Sequence, residues 1–221
     1  MNNMRTIRVT GKGRTSVRPD MMRLSITLKG THKDYGEALK RSSKDTETLK
    51  NLVESLGFEK TDLKTTSFDI DTEYESYEER GNYRQRFIGY EYEHELKLEF
   101  EVNNDRLGKL VYALAGSDLN PEFSISYTVK DKEAVKNDLL EKSVTDAKAK
   151  AAVLSDAAGV TLKDIVNIDY SWGEMDLEIN LLSNNFSGRN ERWSCGDGLP
   201  MNFEPDDIVV TDTVTVVWEI E

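Results

Sequence analysis

The residue types that most often carry catalysis are scarce in this chain. It has two histidines, His32 and His94, and one cysteine, Cys195. Nucleophilic catalysis needs a base beside the nucleophile, and neither histidine lies in a recognisable motif. We expect His32 to be solvated between a strand and a helix, and His94 to be partly buried on the apolar side of a strand. The sequence therefore predicts no catalytic residue.

The cysteine and the acidic residues give no convincing metal site. A single cysteine excludes an internal disulfide and a cysteine-based zinc site. Cys195 lies in an irregular stretch with Arg192 as its nearby cation, and we expect an inert surface thiol. A run of acids could offer carboxylate oxygens to Ca²⁺, but it lacks the ligand order of an EF-hand, and alternating acids usually mark the solvated side of a strand. The run comprises Asp69, Asp71, Glu73, Glu75, Glu78 and Glu79. We predict no metal ligand and no cofactor.

The charge balance limits the classes of partner. The chain has 29 basic and 41 acidic residues, a formal net charge of −12 and a pI near 4.8. Phosphate groups are repelled by such a surface, so we expect neither a nucleic-acid partner nor an anionic membrane. No apolar run reaches the ~20 residues of a membrane span. The first residues also lack an apolar export segment. The sequence predicts a cytoplasmic protein without membrane insertion, unless an export segment has been removed.

One stretch, RFIGYEYEHELKLEFEV from Arg86 to Val102, predicts a long amphipathic strand. The expected apolar side is Ile88, Tyr90, Tyr92, His94, Leu96, Leu98, Phe100 and Val102. At ~3.3 Å per residue a straight strand of this length is about three times longer than usual. We therefore expect a bend near Gly89 or a part that projects from the body.

The preceding strand and this one predict a hairpin that projects around residues 70–92. Gly81 and Asn82 supply the turn signal between them. Five tyrosines cluster there, and they are either ordinary cross-strand packing or a contact surface, for which tyrosine is favoured. These candidate interaction residues are Tyr74, Tyr77, Tyr83, Tyr90 and Tyr92.

The remaining elements predict an α+β fold of order ββ-α-ββ-α-β-α-β-loop-β. The first two strands are expected to form an antiparallel hairpin, with a turn rather than a phosphate loop at Gly11-Lys12-Gly13. Asp34 begins a helix with a capping box and Gly159 ends the longest helix. The expected apolar stripe of that helix is Leu140, Val144, Ala147, Ala151, Leu154 and Ala158. Residues 173–207 are rich in Asn, Gly and Pro, and we interpret them as an irregular insertion.

Six segments of the chain resemble the SIMPL-domain family, also called DUF541, and together they cover nearly its whole length. They are IRVTGKGRTSVRPDMMRLSITLKG, LKTTSFDIDTEY, IGYEYEHELKLEF, SVTDAKAKAAVLSDAAGVTL, KDIVNIDY and IVVTDTVTVVWEI. The shared motifs are structural: a Gly-x-Gly, a Pro-Asp before a strand, a Gly-Tyr in the long strand and a helix with spaced alanines. The resemblance implies long antiparallel β-hairpins packed on two longer helices and one short helix, without an established enzymatic activity. Some bacterial members are periplasmic, ring-forming or linked to stress responses, and an animal member associates with a Pelle-like kinase.

We therefore expect one domain over residues 1–221 that is not an enzyme. The leading hypothesis is a homo-oligomeric scaffold or protein-interaction module whose second hairpin and alanine-rich helix supply the contacts. The alternative is a small-ligand or metal-binding protein in which residues 173–207 form a lid over a pocket. A hydrolase ranks below both, because no nucleophile motif is present and no pair of carboxylates is singled out.

Overall fold

The computed structural model describes residues 5–79, 81–170, 177–184 and 203–221 of the chain. Its strands are β1 (Thr6–Val17), β2 (Met21–His32), β3 (Leu63–Glu79), β4 (Asn82–Glu101), β5 (Glu122–Thr128), β6 (Leu162–Asp169), β7 (Ile179–Asn184) and β8 (Ile208–Ile220). Its helices are α1 (Tyr35–Ser55), α2 (Asn104–Ala115) and α3 (Lys132–Ala158). The predicted α+β class, with two longer helices and one short helix, is confirmed. None of the helices in this part of the chain has the length and apolar character needed to cross a membrane.

The chain divides into two compact units. The first unit consists of Met1–Pro19, Thr128–Glu178 and Asp206–Glu221, and the second consists of Asp20–Tyr127 and Ile179–Pro205. Each unit has its own hydrophobic cluster. The expectation of a single domain over the whole chain stays a prediction.

The first unit is built on a three-stranded antiparallel sheet in the order β1-β8-β6. β1 pairs with β8 over its whole length, from Thr6 opposite Glu219 to Val17 opposite Ile208. The predicted hairpin between the first two strands is therefore wrong, because β2 pairs with β4 instead. Neighbours in sequence are usually neighbours in a sheet, and no local signal announces a partner almost two hundred residues away.

Helix α3 packs on this sheet through side chains at every fourth position. The buried ones are Val135, Leu139, Ser143, Ala147, Ala151 and Ser155. This corrects the predicted stripe, since Leu154 is 50% exposed while two serines are buried. Small residues take the contact positions because the helix lies very close to β1.

Two glycines of β1 make this close approach possible. A Cβ atom at Gly11 would lie 2.0 Å from the carbonyl oxygen of Ser143, and one at Gly13 would lie 2.3 Å from that of Leu139. The Ser143 hydroxyl accepts a 2.8 Å hydrogen bond from the Gly13 amide and donates to the carbonyl of Asp212 at 3.0 Å. The predicted turn at Gly11-Lys12-Gly13 is therefore wrong: β1 runs straight through it, and the glycines serve packing.

The second unit contains a five-stranded sheet in the order β3-β4-β2-β5-β7, together with α1 and α2. The side chain of Asp34 accepts a hydrogen bond from the Glu37 amide at 3.1 Å, which confirms the predicted cap of α1. The apolar sides of β2, β4 and both helices form one core. Its largest fully buried side chains are Tyr92, Tyr127, Met22, Leu24, Ile26, Leu28, Leu49, Leu96, Leu98, Leu107, Leu110 and Leu114.

The segment predicted as an irregular insertion contains one additional strand. β7 lies within residues 173–207 and pairs antiparallel with β5. Residues 173–176 and 185–202, which include Cys195 and Arg192, lie outside the described part of the chain. The hypothesis of a lid over a pocket concerns mostly these residues.

Candidate interaction surface

The β3–β4 hairpin extends beyond the strand that supports it. β2 pairs with β4 between Tyr90 and Glu101, so the earlier part of β4 has β3 as its single partner among the described strands. Every residue at positions 74–79 and 82–88 is exposed. We call this two-stranded segment the outer ribbon. Its existence agrees with the projecting hairpin expected from the sequence.

The alternation of β4 breaks at Gly89. The register shifts between Glu73 and Tyr74 of β3, where Glu73 lies opposite Gly89 but Tyr74 lies opposite Phe87. Gly89 has φ of 155°, and a Cβ atom there would lie 2.4 Å from the carbonyl oxygen of His32. Only glycine fits this position without a shift of the backbone. The predicted irregularity at Gly89 is present, and Phe87 rather than Ile88 continues the side of the strand that bears Tyr90.

This bulge brings four aromatic rings into a continuous row. The centroids of Tyr74 and Phe87 are 5.7 Å apart, those of Phe87 and Tyr90 are 5.4 Å apart, and those of Tyr90 and Tyr35 are 5.6 Å apart. All three contacts are edge-to-face, the geometry that aromatic pairs favour. We call Tyr35, Tyr90, Phe87 and Tyr74 the aromatic row. Sequence reasoning missed Tyr35, which lies on α1, and Phe87, which the bulge moves to this side.

The aromatic row is packed internally yet open to solvent. Tyr35 is 51% exposed, Tyr74 is 49% exposed and Phe87 is 44% exposed, while Tyr90 packs partly against the core. A patch of contacting aromatic side chains at this exposure is unusual for a surface that binds nothing. Because the rings already contact one another, their side chains would lose little conformational entropy on binding a partner.

The other two tyrosines of the outer ribbon lie on opposite sides of it. Tyr83 is opposite Glu78 in the register, on the side of the aromatic row, and is 84% exposed. Tyr77 lies on the other side, where the guanidinium of Arg86 is 5.9 Å from the centroid of its ring. Both sides of the outer ribbon therefore present an exposed tyrosine.

Cross-strand ion pairs connect the two strands of the outer ribbon. Arg84 pairs with Glu79 at 2.8 Å, and Arg86 pairs with Glu75. All four side chains are about half exposed or more, so each pair adds little to stability. They match the register in which the two strands pair.

Tyr92 belongs to the core rather than to the surface. It is 2% exposed, and its hydroxyl donates a 2.6 Å hydrogen bond to Asp45 Oδ2. Arg41 Nε donates to the same carboxylate oxygen at 2.9 Å. Burial, and then the bond to Asp45, raise the pKa of the Tyr92 hydroxyl, which stays a donor. The structure thus separates Tyr92 from the four exposed or half-buried tyrosines that were grouped with it.

The two histidines make structural contacts. His94 Nδ1 and Nε2 each lie 2.9 Å from a threonine hydroxyl, of Thr46 and Thr65 respectively. Burial first, and the nearby Lys50 second, lower the pKa of His94. The His32 ring stacks on Tyr92 with centroids 6.4 Å apart. These contacts orient the rings, but the hydrogen bonds of His94 lead to hydroxyls that hold the ring and not to a catalytic acid.

The acids of β3 do not converge on a point. In the described part of the chain no group of three or more His, Cys, Asp or Glu side chains is arranged to hold a metal ion. The acids alternate along an extended strand instead, which spreads their carboxylates along its length.

Comparison with known proteins identifies a family that matches nearly the whole chain and two relatives that match about three quarters of it. The family model SIMPL, described as "Protein of unknown function (DUF541)", matches residues 7–218. A "26 kDa periplasmic immunogenic protein" of Brucella abortus (strain S19) is 29% identical over 164 residues, which are 73% of this chain and 65% of the relative. The protein of the same name from Brucella melitensis biotype 1 is 28% identical over the same shares. The matches thus span slightly less than two thirds of each relative, and the names, which say periplasmic, lend no support to the predicted cytoplasmic location.

Proposed function

The chain belongs to the SIMPL (DUF541) family, and from this premise we propose that it is a non-enzymatic interaction module that assembles with other copies of itself through the outer ribbon. The observation that carries the proposal is the aromatic row on a hairpin whose outer part is exposed on both sides.

Unpaired strand edges support this proposal. Among the strands that the structure describes, β3 is terminal in its sheet, and β4 has no second partner between Asn82 and Gly89. Both edges of the outer ribbon therefore offer backbone groups to another strand. Addition of a strand to such an edge is a common mode of protein recognition.

The chemistry of the exposed side chains also fits a protein partner. Tyrosine, phenylalanine and arginine are enriched at the centres of protein interfaces, and the outer ribbon combines all three. Tyr90 anchors the aromatic row, because it packs partly against the core. A partner would therefore meet a surface that is already ordered.

The alanine-rich helix does not share this role. Ala147 and Ala151 are fully buried against the sheet of their own unit. The expectation that this face supplies contacts between chains is therefore dropped from the proposal.

The names of the two relatives favour a periplasmic location for this protein as well. Fractionation of cells that express the natural gene tests this location. Recovery with periplasmic marker proteins is expected, and recovery with cytoplasmic markers would contradict it.

The decisive variant shortens the outer ribbon. Replacing residues 75–86 with Asn-Gly joins Tyr74 to Phe87, which the register already places opposite each other, through a favourable hairpin turn. We expect fewer chains per particle by light scattering after size exclusion, with the unfolding midpoint of the remaining protein preserved. An unchanged number of chains per particle would reject residues 75–86 as the contact. The aromatic row, which this variant keeps, is tested separately by Phe87→Ala.

A further inference from the structure

The open edge of β3 begins well before the outer ribbon. β3 is terminal among the described strands of its sheet, and β4 is its one described partner. The register shift near the start of β3 leaves Thr66 without a partner in β4, and from Ser67 onward β3 alternates without interruption. We call the residues from Ser67 to Glu73 the β3 edge. Every second residue of such an edge directs its backbone N–H and C=O away from the sheet.

One side of the β3 edge is apolar. Residues directly opposite each other in a sheet share a side, and Phe68 and Ile70 lie opposite His94 and Tyr92. Tyr74, the first residue of the outer ribbon, continues this side. Phe68 is 40% exposed and Tyr74 is 49% exposed, while Ile70 packs partly against the core. A strand added to this edge would therefore meet exposed apolar area on this side.

The other side of the β3 edge is acidic. Its carboxylates are Asp69, Asp71 and Glu73. Asp69 lies opposite Glu93, and Asp71 lies opposite Glu91. Like charges that face each other across two strands destabilise a sheet. In the described part of the chain Glu93 pairs with Lys29 at 3.3 Å, whereas neither Asp71 nor Glu91 forms an ion pair. Cations placed beside β3 would relieve this repulsion.

Helix α1 borders the apolar side of the β3 edge. The Thr46 hydroxyl of α1 lies 2.9 Å from His94 Nδ1, and His94 lies opposite Phe68. Leu39 precedes Thr46 by about two helical turns and so lies on the same side of α1. Leu39 is 47% exposed. This side of α1 therefore adds apolar area beside the edge.

We propose that the β3 edge binds an extended peptide segment of another protein, in which basic and apolar residues alternate. The segment pairs with β3 as an added strand. Its apolar side chains continue the side of Phe68 and Ile70, and its lysine or arginine side chains lie beside Asp69 and Asp71. The backbone hydrogen bonds supply affinity, and the alternation of side chains supplies specificity.

Charge decides between such a segment and a second copy of β3. Two copies of β3 joined at this edge would bring Asp69 and Asp71 of one chain beside the same carboxylates of the other. Like charges gathered on one side of a ladder oppose its formation. The proposed contact is therefore separate from self-association through the outer ribbon, and it uses residues that precede the ribbon.

Two peptides of equal composition test the proposal. One alternates lysine and valine, and the other carries its lysines in one block and its valines in another. We expect the alternating peptide to bind the full chain at least about tenfold more tightly in fluorescence anisotropy, and to slow amide hydrogen exchange at residues 67–73. Acids on an edge also discourage aggregation, and a role limited to that predicts no such preference. Equal binding of the two peptides, or no binding of either, would overturn the proposal.

A matched pair of double variants tests the carboxylates. Asp69→Asn with Asp71→Asn is expected to weaken binding of the alternating peptide about tenfold. It should not lower the urea midpoint of unfolding, because two like-charge pairs are removed. The control is Glu141→Gln with Asp156→Asn, which makes the same change of charge at exposed positions of α3 in the other unit. Equal weakening by both double variants would assign the binding to overall charge and contradict the proposal.

The outcome can be separated from the function of the outer ribbon. The chain with residues 75–86 replaced by Asn-Gly keeps the β3 edge, and we expect it to bind the alternating peptide as tightly as the natural chain does. This result is expected whether or not the shortened chain still assembles. Loss of peptide binding in a shortened chain with the natural unfolding midpoint would place the peptide on the outer ribbon and overturn the proposal.

Discussion

The backbone of β1 at Gly11 lies directly against the backbone of α3 at Ser143. The space between them is too small for a methyl group, since a Cβ atom at Gly11 would lie 2.0 Å from the Ser143 carbonyl oxygen. This contact fixes the position of α3 on the sheet.

Gly11→Ala is expected to destabilise the protein by about 3 kcal/mol, because the helix must move away from the strand. Urea unfolding followed by circular dichroism measures the change. Gly116→Ala is the control, since a Cβ there would meet its nearest atom at an ordinary 3.5 Å. Equal losses for the two variants would show that the contact at Gly11 is not tight.

Tyr92→Phe is expected to cost about 1–2 kcal/mol, because the Asp45 carboxylate loses its buried donor. Tyr112→Phe removes the hydroxyl of a tyrosine that is 41% exposed, and we expect almost no change. The comparison of unfolding free energies at neutral pH decides whether the bond between β4 and α1 stabilises the fold.

His94 is expected to make stability depend on pH in one direction. Its pKa in the folded protein lies below the usual 6.5, through burial and then Lys50. The unfolded chain therefore binds the proton more readily. The stabilisation is fully present above about pH 6.5 and is lost as the pH falls toward the lower pKa of the fold.

His94→Asn removes this titration and keeps a polar group between the two threonines. The difference in unfolding free energy between pH 5 and pH 8 is expected to be smaller in the variant than in the natural protein. The same pH dependence in both would assign the effect to other groups.

Phe87→Ala is expected to weaken self-association while changing stability by less than ~1 kcal/mol, because Phe87 is a member of the aromatic row that is 44% exposed. Ile88→Ala is the control, since this neighbour is 36% exposed and lies outside the row. Sedimentation velocity measures the association of both variants. Equal weakening by Phe87→Ala and Ile88→Ala would contradict the assignment of the contact to one side of the ribbon.

Much of the fold follows from local sequence signals. Strict alternation predicts β4 and β8, and the caps at Asp34 and Gly159 predict where α1 begins and α3 ends. These features depend on a few neighbouring residues, so a single sequence contains them. The pairing of β1 with β8 cannot be predicted in this way, because it depends on packing between segments that are distant in sequence.

The candidate surface was predicted only in part. Tyr74, Tyr77 and Tyr83 are exposed on the ribbon, but Tyr92 faces the core. Gly89 predicted the irregularity. The sequence does not show that the bulge places Phe87, and not Ile88, on the side of β4 that bears Tyr90. The buried serines of α3 were missed because hydropathy does not record how closely a helix approaches a strand.

The most direct test of the account is the molar mass of the natural protein by light scattering after size exclusion, over a concentration series. We predict particles of several times 25.1 kDa that lose chains on dilution. A mass of one chain at every concentration would contradict self-association through the outer ribbon.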